Sequence, residues 1–270
     1  FLSGGIDSTV VVALMQSQSN RSVKTFTIGF DEAGYNEATH AKDVAKHLGT
    51  DHTELYITAA QSLEVIPRMS TMYDEPFGDS SAIPTHLVSH LARQQVTVSL
   101  SGDGGDELFG GYKRYFNHKA ERIWQSMRSV PPSLHGVMDS VLRSPMWAST
   151  DTVIKACTKG VGYSFGGSLS GKSGMIADLL ACEDHKQFYR MMTSQWNQPP
   201  VKHRSGNLPY GITDQVLRGV DESSQKMMAT DTLAYLPDDI LAKVDRAAMA
   251  VSLETRVPLL DHRVVELAWR

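Results

Sequence analysis

Residues 96–112, VTVSLSGDGGDELFGGY, run from an apolar strand directly into a loop crowded with glycines and acids. Val96–Leu100 have the composition of a buried strand, and Ser101–Tyr112 hold five glycines and three acids. Glycines let the backbone approach a ligand closely, whereas clustered like charges need a neutralising partner. Ligands of open parallel sheets collect at the carboxyl ends of the strands. We therefore expect residues 101–112 to line a binding crevice.

A second glycine loop, SGGIDS at residues 3–8, leads into the apolar run Ser8–Gln16. That run is apolar on nearly every side, which predicts a short helix that is buried all round and lies against a sheet. The glycines and the free N–H groups at the helix start form a cradle suited to pyrophosphate. Asp7 fits this cradle when Mg²⁺ bridges its carboxylate to phosphate oxygens. The alternative is a tight turn in which Asp7 or Ser8 caps the helix.

Strand and helix signals alternate along the first half of the chain. The predicted strands are Val23–Phe30, His52–Ile57 and Val96–Leu100; the predicted helices are Ala38–Leu48, capped by Asn36, and Pro84–Arg93. This alternation predicts an α/β fold with a mostly parallel sheet covered on both faces. Beyond about Tyr112 only helical periodicity remains, near Ile123–Met127, Asp184–Trp196 and Asp231–Leu267. We predict a doubly wound α/β core at residues 1–127 and a mainly helical continuation at 128–270, in which residues 144–212 have no clear period.

Composition and charge favour small-molecule chemistry. Hydrophobic residues make up 41% and charged residues 21%, which excludes a disordered chain. With 26 Lys+Arg against 30 Asp+Glu, the net charge of −4 argues against nucleic acid or an anionic membrane as a partner. Cys157 and Cys182 are too few for a disulfide framework, which indicates a reducing compartment. Since no apolar run approaches the roughly 18 residues of a membrane span, we expect a cytoplasmic protein.

The two ends of the sequence predict that it is an internal piece of a longer protein, truncated at both ends. Phe1 and Leu2 stand directly against a glycine turn, with no Met and no room for the strand that such a turn normally follows. At the other end, Ala268–Arg270 lie inside an apolar helical pattern.

Four motifs together resemble the glutamine-dependent asparagine synthetases of the ATP pyrophosphatase, or PP-loop, group. SGGIDS at residues 3–8 resembles the pyrophosphate loop, and SGDGGDELFGGY at 101–112 resembles the second signature. DEPFGDSSAIP at 74–84 and the stretch 245–261, DRAAMA through ETRVPLLD, agree with the family in order and spacing. The resemblance implies an adenine nucleotide alpha hydrolase-like fold.

The resemblance also implies a reaction and the residues that perform it. Aspartate is adenylated by ATP to β-aspartyl-AMP with release of pyrophosphate, and ammonia then displaces AMP to give asparagine. The positions implied to bind ATP are Phe1, Ser3, Gly4, Gly5, Asp7, Ser8, Ile28, Ser101 and Gly102. Asp7 and Asp106 are implied to bind Mg²⁺ and to be catalytic, with Asp103, which stands where some members carry Glu and is implied to help the ammonia step.

The partners follow from the same resemblance. Family members obtain ammonia from glutamine in an N-terminal glutaminase domain, which this sequence does not contain, and carry a catalytic lysine that we expect beyond Arg270. The sequence allows a homodimer but does not fix the oligomeric state.

Three other functions stay open. One is a β-lactam synthetase-like enzyme or another carboxylate-adenylating amidotransferase, and the second is a non-catalytic domain that binds adenine nucleotides. The third is a P-loop phosphotransferase, because GGSLSGKS at residues 166–173 has Walker A spacing. The preceding residues 161–165 are a weak strand, so a flexible Gly/Ser loop is the better interpretation.

Some candidate residues allow two interpretations. The apolar stripe of the helix near residues 240–251 leaves Lys243 and Arg246 near one another on a different face. This face, with Asp245, Glu254 and Arg256, is either solvated or ion-paired, or it faces the substrate. Residues 74–84 form either a polar loop with helix-capping serines or a wall of the aspartate site. His86 and His90 are spaced for one helix face but lack a third metal ligand nearby, so we expect surface or packed histidines.

Overall fold

Short parallel strands and a larger number of helices make up this chain in a computed structural model, which describes residues 1–30, 38–116, 118–146, 169–194 and 217–270. The strands are β1 (Lys24–Phe30), β2 (Asp51–Ile57), β3 (Val98–Leu100) and β4 (Glu254–Arg256). The predicted mixture of helices with parallel strands is confirmed.

The helices fall into two groups along the chain. The first group is α1 (Ile6–Ser17), α2 (Ala38–Leu48), α3 (Ala59–Met72), α4 (Ala82–Arg93) and α5 (Gly105–Phe109). The second group is α6 (His118–Arg128), α7 (Pro132–Leu142), α8 (Leu169–Leu180), α9 (His185–Thr193), α10 (Ser223–Thr230), α11 (Ala242–Met249) and α12 (His262–Ala268). Lys113–Phe116 and Pro258–Leu260 are 3₁₀ turns, and Asp231–Leu241 form a π-helix.

The strands pair in two parallel ladders. β1 pairs with β2 from Lys24 opposite Asp51 to Phe30 opposite Ile57. β3 pairs with β4 from Val98 opposite Glu254 to Leu100 opposite Arg256. Within the described residues these ladders are two separate two-stranded sheets, so they do not by themselves make the predicted doubly wound sheet.

Phe1 and Leu2 lie between the two ladders. The backbone nitrogen of Phe1 donates to the Leu100 carbonyl in β3, at 2.6 Å. The Leu2 N–H donates to the Phe26 carbonyl in β1, at 3.0 Å. The Thr27 hydroxyl donates to the Leu2 carbonyl as well. The first two residues are therefore hydrogen-bonded to a strand on each side.

Two apolar clusters flank these first residues. Leu2 packs with Val12 of α1 and with Ala41 and Ala45 of α2. Phe1 packs against a different cluster, formed by Phe26, Ala92 of α4, Ala248 of α11 and Leu253. Successive residues of an extended chain point to opposite faces, so helices cover both faces at this position.

The chain divides by its internal contacts into two units, residues 1–112 with 209–270 and residues 113–208. In the second unit Trp124 stacks on Phe188 with ring centroids 4.8 Å apart, and its indole N–H donates to the Cys182 carbonyl at 2.9 Å. The predicted boundary between residues 127 and 128 stays a prediction. The grouping by contacts differs from it because α10–α12 belong with the α/β unit.

Helix α1 corrects one expectation from the sequence. Val11 and Val12 are buried, but Ile6 is 81% exposed and Leu14 is 57% exposed. The helix was expected to be buried on nearly every side, and that expectation is wrong in the described structure. Leu2 and α2 cover one side of α1 and leave the other apolar side open.

The predicted helical stretch 231–267 is interrupted. β4 and a 3₁₀ turn separate α11 from α12, because residues 254–256 pair with β3. The predicted cap Asn36 and the weak strand at 161–165 lie outside the described residues. In the part of the chain that the structure describes, no helix has both the length and the apolar character to cross a bilayer.

Candidate functional site

A cavity of about 1060 Å³ lies where the two glycine loops meet, within the first unit. Every residue of this sequence to which the resemblance gives a role in ATP binding, Mg²⁺ binding or catalysis lines this cavity. These residues are Phe1, Ser3, Gly4, Gly5, Asp7, Ser8, Ile28, Ser101, Gly102, Asp103 and Asp106. The structure thus brings the predicted residues together, and the roles assigned to them stay predictions.

Glycines allow the two loops to touch. A Cβ on Gly105 would lie 2.7 Å from both carboxylate oxygens of Asp7, and a Cβ on Gly102 would lie 2.6 Å from the Ser8 nitrogen. Both distances are shorter than any ordinary contact of a Cβ atom. A side chain at position 102 would push the loop backbones apart, and one at position 105 would displace the Asp7 carboxylate, so the close approach requires glycine at both positions.

Hydroxyl groups and backbone donors line the floor near α1. Ser3 Oγ lies 3.0 Å from Ser8 Oγ and accepts the Gly5 N–H at 3.2 Å. The buried Ser101 hydroxyl has no hydrogen-bond partner among the described residues. Gly5 is the N-cap of α1 and no side chain caps the helix, so the alternative in which Asp7 or Ser8 caps it is wrong. The first residues of α1 line the cavity, and the first N–H groups of a helix have no partner within the helix.

The acids of the site are crowded. Burial raises the pKa of Asp7, and the neighbouring charge of Asp106 raises it further. Glu107 is buried and accepts the Tyr112 hydroxyl at 2.7 Å; burial raises the pKa of its carboxyl too. Among the described residues no group of three or more His, Cys, Asp or Glu side chains is placed to hold a metal. Mg²⁺, however, is usually held by one or two carboxylates together with substrate phosphates, which the Asp7–Asp106 pair fits.

Ion pairs join the motif at residues 74–84 to α11. Lys243 Nζ lies 2.7 Å from Asp79 Oδ2, and Arg246 Nη1 lies 2.5 Å from Asp74 Oδ2. Lys243 lines the cavity and is buried, whereas Arg246 is exposed and is not in the cavity lining. The two cations stand three residues apart on one helix but have different partners and different exposure.

The ion pair of Lys243 with Asp79 affects the pKa values of the acids around it. Burial alone would raise the pKa of Asp79, but hydrogen bonds from Lys243 and Ser81 hold it below its ordinary value. Burial, together with Asp79, raises the pKa of Asp239. The sequence signal for this contact was the acidic residues at 74–79 and the basic residues at 243–246, whose opposite charges could have predicted that the two segments meet.

Other candidates lie elsewhere. Asp245, Arg246, Glu254 and Arg256 are absent from the described lining of this cavity, and Arg256 Nε pairs with Glu254 Oε1 at 2.7 Å. His86 is a packed histidine, as predicted, with Nδ1 3.2 Å from the Ala247 carbonyl. Glu107 and Tyr112 line the cavity as expected for residues 101–112, but sequence reasoning assigned neither of them a role. Lys243 was expected either in an ion pair or facing the substrate, and the structure places it in an ion pair at the cavity wall.

The Walker A-like motif is only partly described. Residues 166–168 lie outside the described residues, and 169–173 already belong to α8. A Walker A loop follows a strand, and the described part of residues 113–208 contains none.

Comparison with known proteins identifies the family. The family model described as asparagine synthase matches residues 1–270. The chain is 31% identical over 99% of its length to "Asparagine synthetase [glutamine-hydrolyzing] 1" of Bacillus subtilis (strain 168), covering 39% of that protein. It is 32% identical over its whole length to "Putative asparagine synthetase [glutamine-hydrolyzing]" of Mycobacterium bovis, covering 38%.

A shorter segment gives a higher identity. Over 43% of the chain, identity to "Putative asparagine synthetase [glutamine-hydrolyzing] 2" of Methanocaldococcus jannaschii is 48%, across 23% of that protein. The chain spans less than two fifths of the length of these curated relatives. The match over all 270 residues and the full-length identities show that the chain belongs to the asparagine synthase family.

Proposed function

We propose that this chain carries the synthetase chemistry of an ATP-dependent amide-forming ligase, in which aspartate is adenylated and then converted to asparagine. One observation carries the proposal: the two glycine loops meet at one cavity and bring the carboxylates of Asp7 and Asp106 beside each other. Each of the two carboxylates raises the cost of ionising the other, so the pair favours a site that takes a cation together with the phosphates of ATP.

The floor of the cavity is suited to the phosphates of ATP. Ser3 and Ser8 supply hydroxyls, the start of α1 supplies backbone N–H groups, and the unpartnered Ser101 hydroxyl supplies a further donor. A helix start without a side-chain cap favours an anion, since its N–H groups and dipole are positive. We assign the β- and γ-phosphates to residues 3–8 and the adenosine and α-phosphate to Phe1, Ile28, Ser101 and Gly102.

Asp7 and Asp106 are assigned to hold Mg²⁺. When bound there, the ion supplies positive charge that offsets the negative charge of the phosphates and of the departing pyrophosphate. The raised pKa of Asp7 is consistent with this assignment, because an acid pushed toward its neutral form by burial and by Asp106 regains its charge when a cation arrives.

The arrangement of the strands supports a doubly wound sheet at the site. We propose the order β2, β1, residues 1–2, β3, β4, because Phe1 and Leu2 bond to β3 and β1 and helices flank both faces there. In such sheets the ligand crevice lies where the strand order reverses. Here the reversal falls between residues 1–2 and β3, whose following loops are residues 3–8 and 101–112.

The proposed reaction has two steps. A β-carboxylate oxygen of aspartate attacks the α-phosphorus of ATP, and the bond to pyrophosphate breaks. Ammonia then attacks the acyl carbon of β-aspartyl-AMP, AMP leaves, and the nitrogen loses a proton. We assign Asp103, which lines the cavity, to the second step. Both steps depend mainly on positioning and charge stabilisation.

The source of ammonia is assigned by analogy. Several relatives are named glutamine-hydrolysing, so we propose that a glutaminase domain of the full-length protein supplies ammonia to this chain.

Phosphorus NMR of the full-length protein with Mg-ATP, aspartate and ammonia tests the proposal. AMP and pyrophosphate that form only with aspartate are the expected products, and Asp7→Asn should abolish them. Asp43→Asn removes an exposed acid of α2 and serves as the matched control. ADP and phosphate would contradict the proposal. AMP formed only with another carboxylate would keep the adenylation and change the substrate, as in the β-lactam synthetase-like alternative.

A further inference from the structure

The charges around the cavity are unbalanced. Asp7, Asp103, Asp106 and Glu107 line it, and among its described lining residues Lys243 is the sole lysine or arginine. A dicarboxylate substrate that enters such a cavity meets charges of its own sign. Binding therefore requires a positive group of the protein beside the substrate carboxylate that does not react.

Lys243 is held firmly at the cavity wall. Its Nζ donates to Asp79 Oδ2 at 2.7 Å, and its backbone carbonyl accepts the Tyr73 hydroxyl at 3.2 Å. Asp79 is itself fixed, because its Oδ1 accepts the N–H and the hydroxyl of Ser81, each at 2.8 Å. Ser81 also lines the cavity. Lys243 is thus held by hydrogen bonds both at its ammonium and at its backbone carbonyl.

Burial sets this ion pair apart from the other lysine–aspartate pair of the sheet region. The Lys243 and Asp79 side chains are 10% and 19% exposed, whereas those of Lys24 and Asp51, at the same 2.7 Å separation, are 43% and 55% exposed. Removing an ion pair from water costs free energy that the mutual attraction rarely exceeds, so stability alone does not account for it. A ligand that uses the remaining ammonium donors does account for it.

We propose that Lys243 binds the non-reacting carboxylate of the amino-acid substrate, and that Asp79 is the positioning residue that orients the Lys243 ammonium toward the cavity. An ammonium has three N–H donors, and within the described residues Asp79 takes one of them. The phosphates of ATP are assigned to residues 3–8, so Lys243 is left for the amino-acid substrate. This inference rests on the proposed function.

Steady-state kinetics of the full-length protein separate the two substrates. In Lys243→Met we expect the KM for aspartate to rise at least about tenfold, the loss of one charge-assisted hydrogen bond, while the KM for ATP changes less than about threefold. Asp79→Asn should raise the aspartate KM less, because the lysine stays but loses its orientation. Lys243→Arg should recover part of the aspartate affinity, since the positive charge is kept.

Controls distinguish binding from folding. Lys24→Met breaks an exposed lysine–aspartate pair of the same length and should leave both KM values unchanged. Calorimetric titration of aspartate with α,β-methylene-ATP present checks the same affinities without turnover, and circular dichroism checks that each variant is folded.

The outcomes are separable. If the parent protein forms AMP and pyrophosphate with aspartate but Lys243→Met and Lys243→Arg both keep the parental KM for aspartate, the inference is wrong and the proposed function stands. The inference is also wrong if Lys243→Met raises the KM for ATP as much as that for aspartate. If the parent protein adenylates no carboxylate, the proposed function fails and the inference fails with it.

Discussion

Gly105 leaves room for the carboxylate of Asp7 in the site. Because a Cβ there would lie 2.7 Å from both oxygens of Asp7, Gly105→Ala must displace the Asp7 carboxylate. A shift of about 1 Å in a catalytic group costs roughly 100-fold in rate, so we expect a loss of that size in aspartate-dependent pyrophosphate release. Pyrophosphate release at saturating ATP measures it.

Gly136→Ala is the matched control for this substitution. Gly136 lies in α7, and a Cβ there meets nothing within 4 Å. Alanine in an exposed helix interior stabilises by about 0.5–1 kcal/mol relative to glycine. A Gly105→Ala protein as active as the parent would show that the position of the Asp7 carboxylate does not matter.

Asp7 is expected to reduce the stability of the ligand-free protein. Its pKa is raised in the folded state, by burial first and Asp106 second, so the folded state binds this proton more tightly than the unfolded state does. The stability associated with Asp7 is present below its ordinary pKa of about 4 and is lost as the pH rises through the folded value. At neutral pH, Asp7→Asn should raise the melting temperature without Mg²⁺, on the order of 0.5 kcal/mol because the site is partly open to water.

The test is thermal unfolding of Asp7→Asn and of the parent protein at pH 7 and at pH 4, without nucleotide. The difference should be smaller at pH 4, where Asp7 is closer to neutral. An equal difference at both values, or a less stable variant at pH 7, would contradict the assignment of unfavourable charge to Asp7.

Two ion pairs connect α11 to the segment that precedes α4, and they should differ in strength. Arg246→Met should cost less than about 1 kcal/mol, because Arg246 and Asp74 are 49% and 79% exposed. Lys243→Met should cost about 3 kcal/mol, because it leaves Asp79 partly buried and without its cation. Urea unfolding measures both; the Lys243→Met, Asp79→Asn double variant should recover part of the loss. Equal costs for the two single variants would contradict the expected effect of burial.

Elements with strong local patterns could be predicted from the sequence. β1, β2 and α2 begin and end within a residue or so of the predicted ranges, since β-branched residues and helical spacing act locally. β4 could not be predicted, because Glu254–Arg256 carry no strand signal and become a strand only by pairing with β3. The cavity lining could be predicted where a glycine loop marks it. Lys243 could be predicted as ion-paired or substrate-facing, but its partner Asp79 could not, because it is 164 residues away.

The two units each have a buried core, and we expect them to respond separately to core substitutions. Phe188 is fully buried in the second unit and Leu253 in the first. Phe188→Ala should lower the free energy of unfolding by about 3–5 kcal/mol, and Leu253→Ala should lower it by about 2–5 kcal/mol. Hydrogen-exchange mass spectrometry locates each effect. Phe188→Ala should speed amide exchange in α6, α8 and α9 while α1 and α4 keep their protection; uniform loss of protection over both units would contradict separate cores.

The pairing of β3 with β4 has a consequence for synthesis on the ribosome. The paired residues are 156 positions apart, as Leu100 and Arg256 are, so β3 emerges long before its partner exists. At about 5–20 residues per second, β3 waits roughly 8–30 s with one edge unpaired. An open strand edge is a template for pairing with other nascent chains. A strand of only three residues exposes few unpaired backbone groups to such chains. The shortness of β3 thus protects the nascent chain during the interval in which it has no partner.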